Sequence, residues 1–415
     1  MKVAIVSSSD GKGGAPKATY RLHQGLHHCG VHSQMVVQSR THTQSHVTGP
    51  RTKVARAMGQ IRPTLDGLPK YAYPARESVV YSVQWLPDRL PGRVRQLQPN
   101  VVNLHWVCGG FVQIESIAKL NRPLVWTLHD MWPFTGGCHY SGDCRGYEHN
   151  CGVCPRLGSN TAWDLSRLTW QRKARAWRNV SLTVVTPSRW LAQCARTSTL
   201  FGQRRIEVIP NGIDTAVYKP LGQSYARYIL NLPQEKPLIL FGALNATADR
   251  RKGYALLRPA LQQLQSSRWS KPPELILLGA EQSDLEKQTG FKTHCLGNFS
   301  DDVALALAYS AADIFVAPSL QENLPNTVLE SLACGTPAVA FNIGGMPDLI
   351  EDQANGYLAE PYRVEDLANG MAWILQDGDR HQQLSGRARQ KVEQQFSLEL
   401  QAKRYADLYA DVIVG

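Results

Sequence analysis

The sequence predicts an α/β chain built as two parallel, doubly wound sheets in succession, and three observations carry that prediction. The chain has 415 residues, more than one hydrophobic core usually serves, so two domains of roughly 200 residues are expected. Short β-branched apolar runs alternate with longer helix-like stretches from end to end, the pattern of parallel strands covered by helices. The two series are separated at Ile209-Pro210-Asn211-Gly212-Ile213-Asp214, where a proline and an Asn-Gly pair interrupt the periodicity.

In the first series the strands are read at Lys2–Val6, Ser33–Gln38, Val101–His105, Pro123–His129, Ser181–Thr186 and Glu207–Ile209. In the second they are read at Pro237–Gly242, Glu274–Gly279, Thr293–Leu296, Asp313–Ala317, Pro337–Phe341 and Gly356–Ala359. The domains are drawn over 1–212 and 213–395, with a terminal helix over 396–415 expected to pack back toward the first. Arg40–Ser78, mixed in Pro, Gly and basic residues, reads as a loop-rich excursion, and a Cys-rich insertion occupies about 136–156.

Composition narrows the function classes. With 43% hydrophobic and 19% charged residues, disorder, collagen and long coiled coil are poor fits. No apolar run approaches the ~18 residues of a membrane span, and the run after Lys2 is only Val3–Val6. Neither a transmembrane helix nor a signal peptide is expected, which implies a cytoplasmic chain with reduced cysteines unless a metal holds them. The net charge of +11 is divided unevenly: residues 1–212 hold 27 Lys and Arg against 10 Asp and Glu, and residues 213–415 hold 18 against 24. The first half should attract anions, either a substrate or an anionic membrane face.

The strongest local pattern is Ser319-Leu320-Gln321-Glu322-Asn323-Leu324-Pro325-Asn326-Thr327-Val328-Leu329-Glu330, running on to Cys334-Gly335-Thr336-Pro337. A strand ends at Ala317-Pro318-Ser319, a loop carries Glu322, and Asn326 or Thr327 is expected to cap a helix whose free N–H groups suit a phosphate. Glu330, one turn into that helix, can accept two hydrogen bonds from a diol such as ribose, and Glu322 can accept from a sugar. A surface loop with an exposed helix glutamate is the alternative on spacing alone.

Glu322-(seven residues)-Glu330 resembles the motif of retaining, nucleotide-sugar-dependent glycosyltransferases of the GT-B fold, family 4. Gly13-Gly14, Thr127-Leu128-His129-Asp130, Pro187-Ser188, Pro210–Asp214, Lys252-Gly253 and Phe341–Asp348 agree in order along nearly the whole chain. The resemblance implies two Rossmann-like doubly wound domains facing across a cleft, the first binding a glycan or lipid-linked glycan acceptor and the second a nucleotide-sugar donor. It implies a metal-independent hexosyl transfer, of the kind used in polysaccharide biosynthesis, with no catalytic cofactor. His129 and Glu322 are the implied catalytic residues. Lys252, Arg251, Asn323, Leu324, Pro325, Asn326 and Glu330 are the implied donor-binding residues, and Gly13-Gly14 the substrate loop. The family's basic residue two positions after the strand-end glycine is replaced here by Leu244, and Arg250 or Arg251 is expected to substitute unless Arg250-Arg251-Lys252 is only a solvated loop. His105-Trp106 lines the acceptor pocket or forms a core aromatic pair.

Cys138, Cys144, Cys151 and Cys154 have five, six and two intervening residues among Gly136, Gly137, Gly142, Gly146 and Gly152. This spacing suits a structural tetrahedral Zn²⁺ site, with His139 and His149 as substitute ligands and free thiols or disulfides as the alternatives. Trp163, Trp170 and Trp177 recur every seven residues among Arg167, Arg172, Lys173, Arg175 and Arg178. The stripe either docks on the first domain with the basic groups solvated or lies on anionic lipid. Two rival functions remain: a same-fold sugar phosphorylase or nucleotide-sugar epimerase, and a zinc-stabilised nucleic-acid-binding protein. The acidic second half disfavours the latter, so nucleic acid is not the expected partner.

Overall fold

The computed structural model describes residues 1–11, 13–50, 52–242, 249–279, 284–299 and 301–414. They form two compact units, one made of Met1–Pro210 together with Gln401–Gly415 and the other of Asn211–Leu400. The chain therefore passes out of the first unit at Pro210 and re-enters it inside its last helix.

The first unit is a seven-stranded sheet of β1 (Lys2–Ser9), β2 (His32–Ser39), β3 (Val47–Thr48), β4 (Val101–Leu104), β5 (Leu124–Thr127), β6 (Leu182–Thr186) and β7 (Arg205–Val208). All pairs are parallel, in the order β3-β2-β1-β4-β5-β6-β7. Its helices are α1 (Gly14–His28), α2 (Lys53–Asp66), α3 (Leu90–Leu97), α4 (Leu165–Trp177) and α5 (Arg189–Thr197). Strands such as Val3-Ala4-Ile5-Val6 are buried on both faces, which is why they read as continuous apolar runs rather than alternations. One core gathers Leu104, Trp126, Trp132, Trp177 and Phe201, and another gathers Val3, Ile5, Val125 and Val185 with Tyr405 and Tyr409.

The second unit is a six-stranded parallel sheet of β8 (Leu238–Gly242), β9 (Glu274–Leu278), β10 (Thr293–Cys295), β11 (Ile314–Ala317), β12 (Ala338–Phe341) and β13 (Gly356–Ala359), in the order β10-β9-β8-β11-β12-β13. Its helices are α6 (Gln223–Ile229), α7 (Tyr254–Gln265), α8 (Leu285–Thr289), α9 (Asp302–Ala311), α10 (Asn326–Ala333), α11 (Met346–Leu349), α12 (Val364–Leu375) and α13 (Gly378–Gln395). The final helix, α14 (Leu398–Val414), returns to the first unit: Tyr405 Oη lies 2.9 Å from Thr127 Oγ1, and Asn103 Nδ2 donates to Tyr409 Oη at 2.6 Å.

Three readings are corrected. Arg40–Ser78 is not only a loop, because it contains β3 and α2. The residue that caps α10 is Pro325, with no side-chain cap bond, so Asn326 begins the helix rather than capping it. Trp163 precedes Asp164, the N-cap of α4, and is 70% exposed. The tryptophan stripe therefore reduces to Trp170 and the buried Trp177.

In each sheet the strand order reverses once, between β1 and β4 and between β8 and β11. Loops leaving the carboxyl ends of two such strands diverge to opposite faces and leave a crevice, the usual ligand position of an open parallel sheet. Gly13-Gly14 and His105 follow β1 and β4; Arg251-Lys252 and Glu322 follow β8 and β11.

Candidate functional site

In the second unit the loops after β8 and β11 are locked together by their backbones. Leu320 N donates to Arg251 O at 2.8 Å. Gly253 has φ +74°, and a Cβ there would stand 1.7 Å from Pro318 O, so only glycine fits. A third loop closes on the same place: Gly345 N donates to Glu322 O at 3.1 Å, and a Cβ on Gly344, φ +52°, would lie 2.0 Å from that oxygen. Glycines quoted for their motif thus act as seats for Glu322 and Lys252.

The Glu322 side chain is buried, and its Oε1 receives Lys252 Nζ at 2.5 Å and Arg251 Nη1 at 2.7 Å. Ser319 Oγ donates to the same oxygen at 3.4 Å. Burial by itself raises this carboxyl, but Lys252 and then Arg251 overcome it and hold it down to about 2. Arg251 Nη2 also lies 3.3 Å from Asp249 Oδ2, so two cations and two carboxylates share this partly exposed place, and the cations are the groups to which a phosphate would bind. Arg250 is exposed and Leu244 lies outside the described residues.

Glu330 is 3% exposed on α10, where Tyr309 Oη donates to its Oε2 at 3.1 Å. Leu324 packs into the hydrophobic core. Asn323 is buried, and Asn326 Oδ1 accepts from Asn211 Nδ2 at 3.2 Å. The tyrosine behind Glu330 was not read from the sequence, since nothing in a helix pattern announces a phenol aimed at a neighbouring helix.

In the first unit Gly13 has φ +98° and N-caps α1 without a side-chain bond. His129, after β5, shares a hydrogen bond of 2.9 Å between its Nε2 and Nδ1 of His105, after β4. Burial pushes His129 down to about 4, against an upward pull from Asp130, and pushes His105 well below its usual range. Both imidazoles are therefore neutral at pH 7. Trp106 Nε1 donates to Asp130 at 2.8 Å, so His105-Trp106 belongs to the hydrogen-bonded frame around His129. Asp130 also accepts from Trp132 N, and His139 Nδ1 lies 2.7 Å from it while His139 Nε2 is 3.0 Å from Ser82 Oγ. Asp130 as the hub of this frame was not read from sequence; the Thr-Leu-His-Asp run was its only signal.

Two basic residues of α4 are structural. Arg172 pairs with Glu115 at 2.9 Å and donates to Val83 O and Gln84 O. Lys173 is fully buried, over the Trp132 ring at 3.6 Å, and donates to Thr135 O. Arg172 and Lys173 are not solvated, whereas Arg175 is exposed, so Arg172, Lys173 and Arg175 do not form one lipid-facing set.

Two family models match this chain: Glycosyltransferase Family 4 over residues 12–217 and Glycosyl transferases group 1 over residues 226–391. Among curated relatives, it is 30% identical to the sulfoquinovosyl transferase SQD2 of Arabidopsis thaliana over 223 residues, 52% of this chain and 42% of that one. It is 29% identical to the D-inositol 3-phosphate glycosyltransferase of Nocardia farcinica over 198 residues, 44% of this chain and 43% of that one. The chain spans about half the length of the curated relatives it matches. Among solved structures, a sucrose-phosphate synthase from Thermosynechococcus elongatus superposes with TM-score 0.69 at 20% identity, covering 100% of this chain and 99% of that one. Anabaena HepE, solved in complex with UDP, superposes with TM-score 0.64 at 18% identity, covering 99% and 100%.

Proposed function

The chain belongs to family 4 of the GT-B glycosyltransferases, and from that premise we propose that it moves a sugar from a nucleotide-sugar donor to a glycan or lipid-linked glycan acceptor with retention at the anomeric carbon. The observation that carries this reading is the Glu322–Lys252–Arg251 cluster. Lys252 and Arg251 supply the positive charge that a departing nucleoside diphosphate needs as the glycosidic bond breaks. That supports metal-independent transfer, because two cations of the chain can meet the charge that a divalent ion would otherwise meet. A nucleotide-sugar donor also agrees with the UDP-glucose complex of the similar HepE.

In this reading Glu330 holds the ribose and Glu322 a sugar hydroxyl, with backbone groups of Asn323–Asn326 around the sugar and diphosphate. A carboxylate held down to about 2 by two cations is a poor base and a poor nucleophile. It supports a single displacement in which the acceptor hydroxyl attacks the anomeric carbon on the face the diphosphate leaves. The C–O bond to the diphosphate breaks, the new C–O bond forms, and the acceptor's proton goes to the departing phosphate oxygen. Acceptor binding is assigned to the first unit, where Gly13-Gly14 and the neutral His129 stand at the carboxyl ends of β1 and β5.

The test is a thermal-shift screen of nucleotide sugars, since donor binding raises stability by mass action, followed by incubation of the best donor with polyprenyl-diphosphate glycans in chelator. Release of nucleoside diphosphate only with a glycan present, and a product with the donor's anomeric configuration, is the expected result. Turnover of the donor with phosphate alone, or epimerisation without acceptor, would favour the same-fold alternatives.

Among the described residues no helix is long and apolar enough to cross a membrane. We place peripheral contact with anionic lipid on α2 and the turn after it. Val54, Met58, Ile61, Leu68 and Tyr71 are all exposed there, at helical spacing, with exposed Lys53 and Arg56 beside them. Apolar side chains rimmed by cations suit the headgroup region of an anionic leaflet. The full chain is expected to float with vesicles containing anionic lipid at low salt, to be largely released at high salt, and to lose binding in Met58→Glu/Ile61→Glu. Absence of flotation at low salt, or unchanged binding in that variant, would remove α2 as the contact.

A further inference from the structure

Cys138, Cys144, Cys151 and Cys154 line one small cavity in the first unit, of about 20 Å³, walled also by Tyr81, Gly136, Gly146 and Arg156. That volume admits a single atom or ion and no larger ligand. The chain is threaded tightly around it. A Cβ on Gly146 would lie 3.4 Å from Cys144 Sγ and 3.9 Å from Cys151 Sγ; one on Gly152, φ +100°, would lie 2.4 Å from Ala162 O. Cys151 and Val153 both hold left-handed backbone, φ +53° and +46°, which is costly for a β-branched residue and marks a segment constrained by something other than its own preference. Among the described residues no three His, Cys, Asp or Glu side chains stand in metal-binding geometry, so an ion would have to draw these sulfurs inward across the cavity.

Basic side chains stand beside the cavity. Arg156 Nε and Arg167 Nε are buried with no hydrogen-bond partner among the described residues. Arg156 stands in the cavity wall, and Arg167 Nε lies 3.1 Å from where a Cβ of Gly152 would be. Arg156 also pairs with Glu77, and four thiolates on one divalent ion would carry a net charge of −2 beside these two guanidinium groups. His139 is not a substitute ligand, because both its ring nitrogens are taken by Asp130 and Ser82. No side-chain contact of His149 points to the cavity.

We propose that Cys138, Cys144, Cys151 and Cys154 form a structural zinc site that pins the 136–158 excursion beside β5. Four soft thiolates with a closing Cys-x-x-Cys select Zn²⁺ over harder ions, and a full set of protein ligands leaves no position for substrate. Binding converts four thiols and Zn²⁺ into a tetrathiolate complex and releases four protons, so affinity rises with pH. The consequence reaches the site: Cys138 is followed by His139, which holds Asp130, the neighbour of His129.

Full-length protein purified without chelator should contain about one zinc per chain by elemental analysis, released by a mercurial thiol reagent. Cobalt grown into the protein in place of zinc should give the intense visible bands of a tetrahedral thiolate complex. Removing the metal should lower the thermal midpoint, and Cys154→Ser should lose most of the zinc. Absence of zinc with all four thiols titrating would overturn the proposal. So would two disulfides found after alkylation and mass analysis, or zinc that dialyses away with no change in midpoint. Metal content and cobalt spectra are read on the wild-type chain, so a variant that fails to fold does not decide the matter.

Discussion

Replacing Lys252 with alanine is expected to lower kcat/KM for glycosyl transfer by about 10²- to 10³-fold, the loss typical of removing one preorganised charge from a developing anion. The ammonium is 2.5 Å from Glu322 Oε1 and its loop is fixed by the contact of Gly253 with Pro318, so the variant loses charge without moving backbone. Stability should change little, because Arg251 stays on the Glu322 carboxylate. Removing Arg251 as well strands a buried carboxylate, and that double variant should lose roughly 3–5 kcal/mol. Steady-state kinetics at saturating donor, with urea denaturation of each variant, separates the two effects. Near wild-type turnover in Lys252→Ala would remove the basis for assigning this cluster to the donor.

How much of this was legible beforehand depends on whether a residue's environment is encoded near it. Strands such as Val3–Val6 and Leu238–Phe241 are buried on both faces and so announce themselves as uninterrupted apolar runs. β3 is two residues long and exists only because β2 offers an edge to pair with, which no local pattern records. α2 was hidden for the opposite reason: its apolar residues face outward, and Pro63 lies inside it. The Glu322 motif is local and can be read from the sequence, but the ion pairs of Glu322 come from a loop 70 positions earlier. Only the adjacency of β8 and β11 in the sheet brings those loops together. Lys173 sits in a run of basic residues that looks solvated, and its burial against Trp132 is a property of tertiary packing alone.

Glu322→Gln is expected to separate the stabilising role of this carboxylate from its role at the sugar. Burial alone would raise the carboxyl, yet Lys252 and Arg251 hold it down to about 2, against 4.5 for an ordinary glutamate. A folded-state value below the unfolded one means stabilisation that is fully present above about 4.5 and lost as pH falls through about 2. At 1.36 kcal/mol per unit the shift corresponds to at most about 3 kcal/mol, less in practice because both cations are partly exposed. Urea denaturation followed through Trp269 and Trp373 of the second unit should therefore show wild type more stable than Glu322→Gln at pH 7, with the gap narrowing between pH 4.5 and 2. A gap independent of pH would mean that packing, not charge, is what the substitution removes. On the donor side, glutamine keeps the shape but releases the ammonium of Lys252 toward the diphosphate, while Arg251 keeps its contact with Asp249. Affinity for free nucleoside diphosphate, measured by calorimetry, should hold or rise a few-fold, while kcat falls by about 10²-fold as the sugar loses a charged acceptor. If nucleoside diphosphate affinity falls as far as turnover does, Glu322 serves to shape the cation pair and does not contact the sugar.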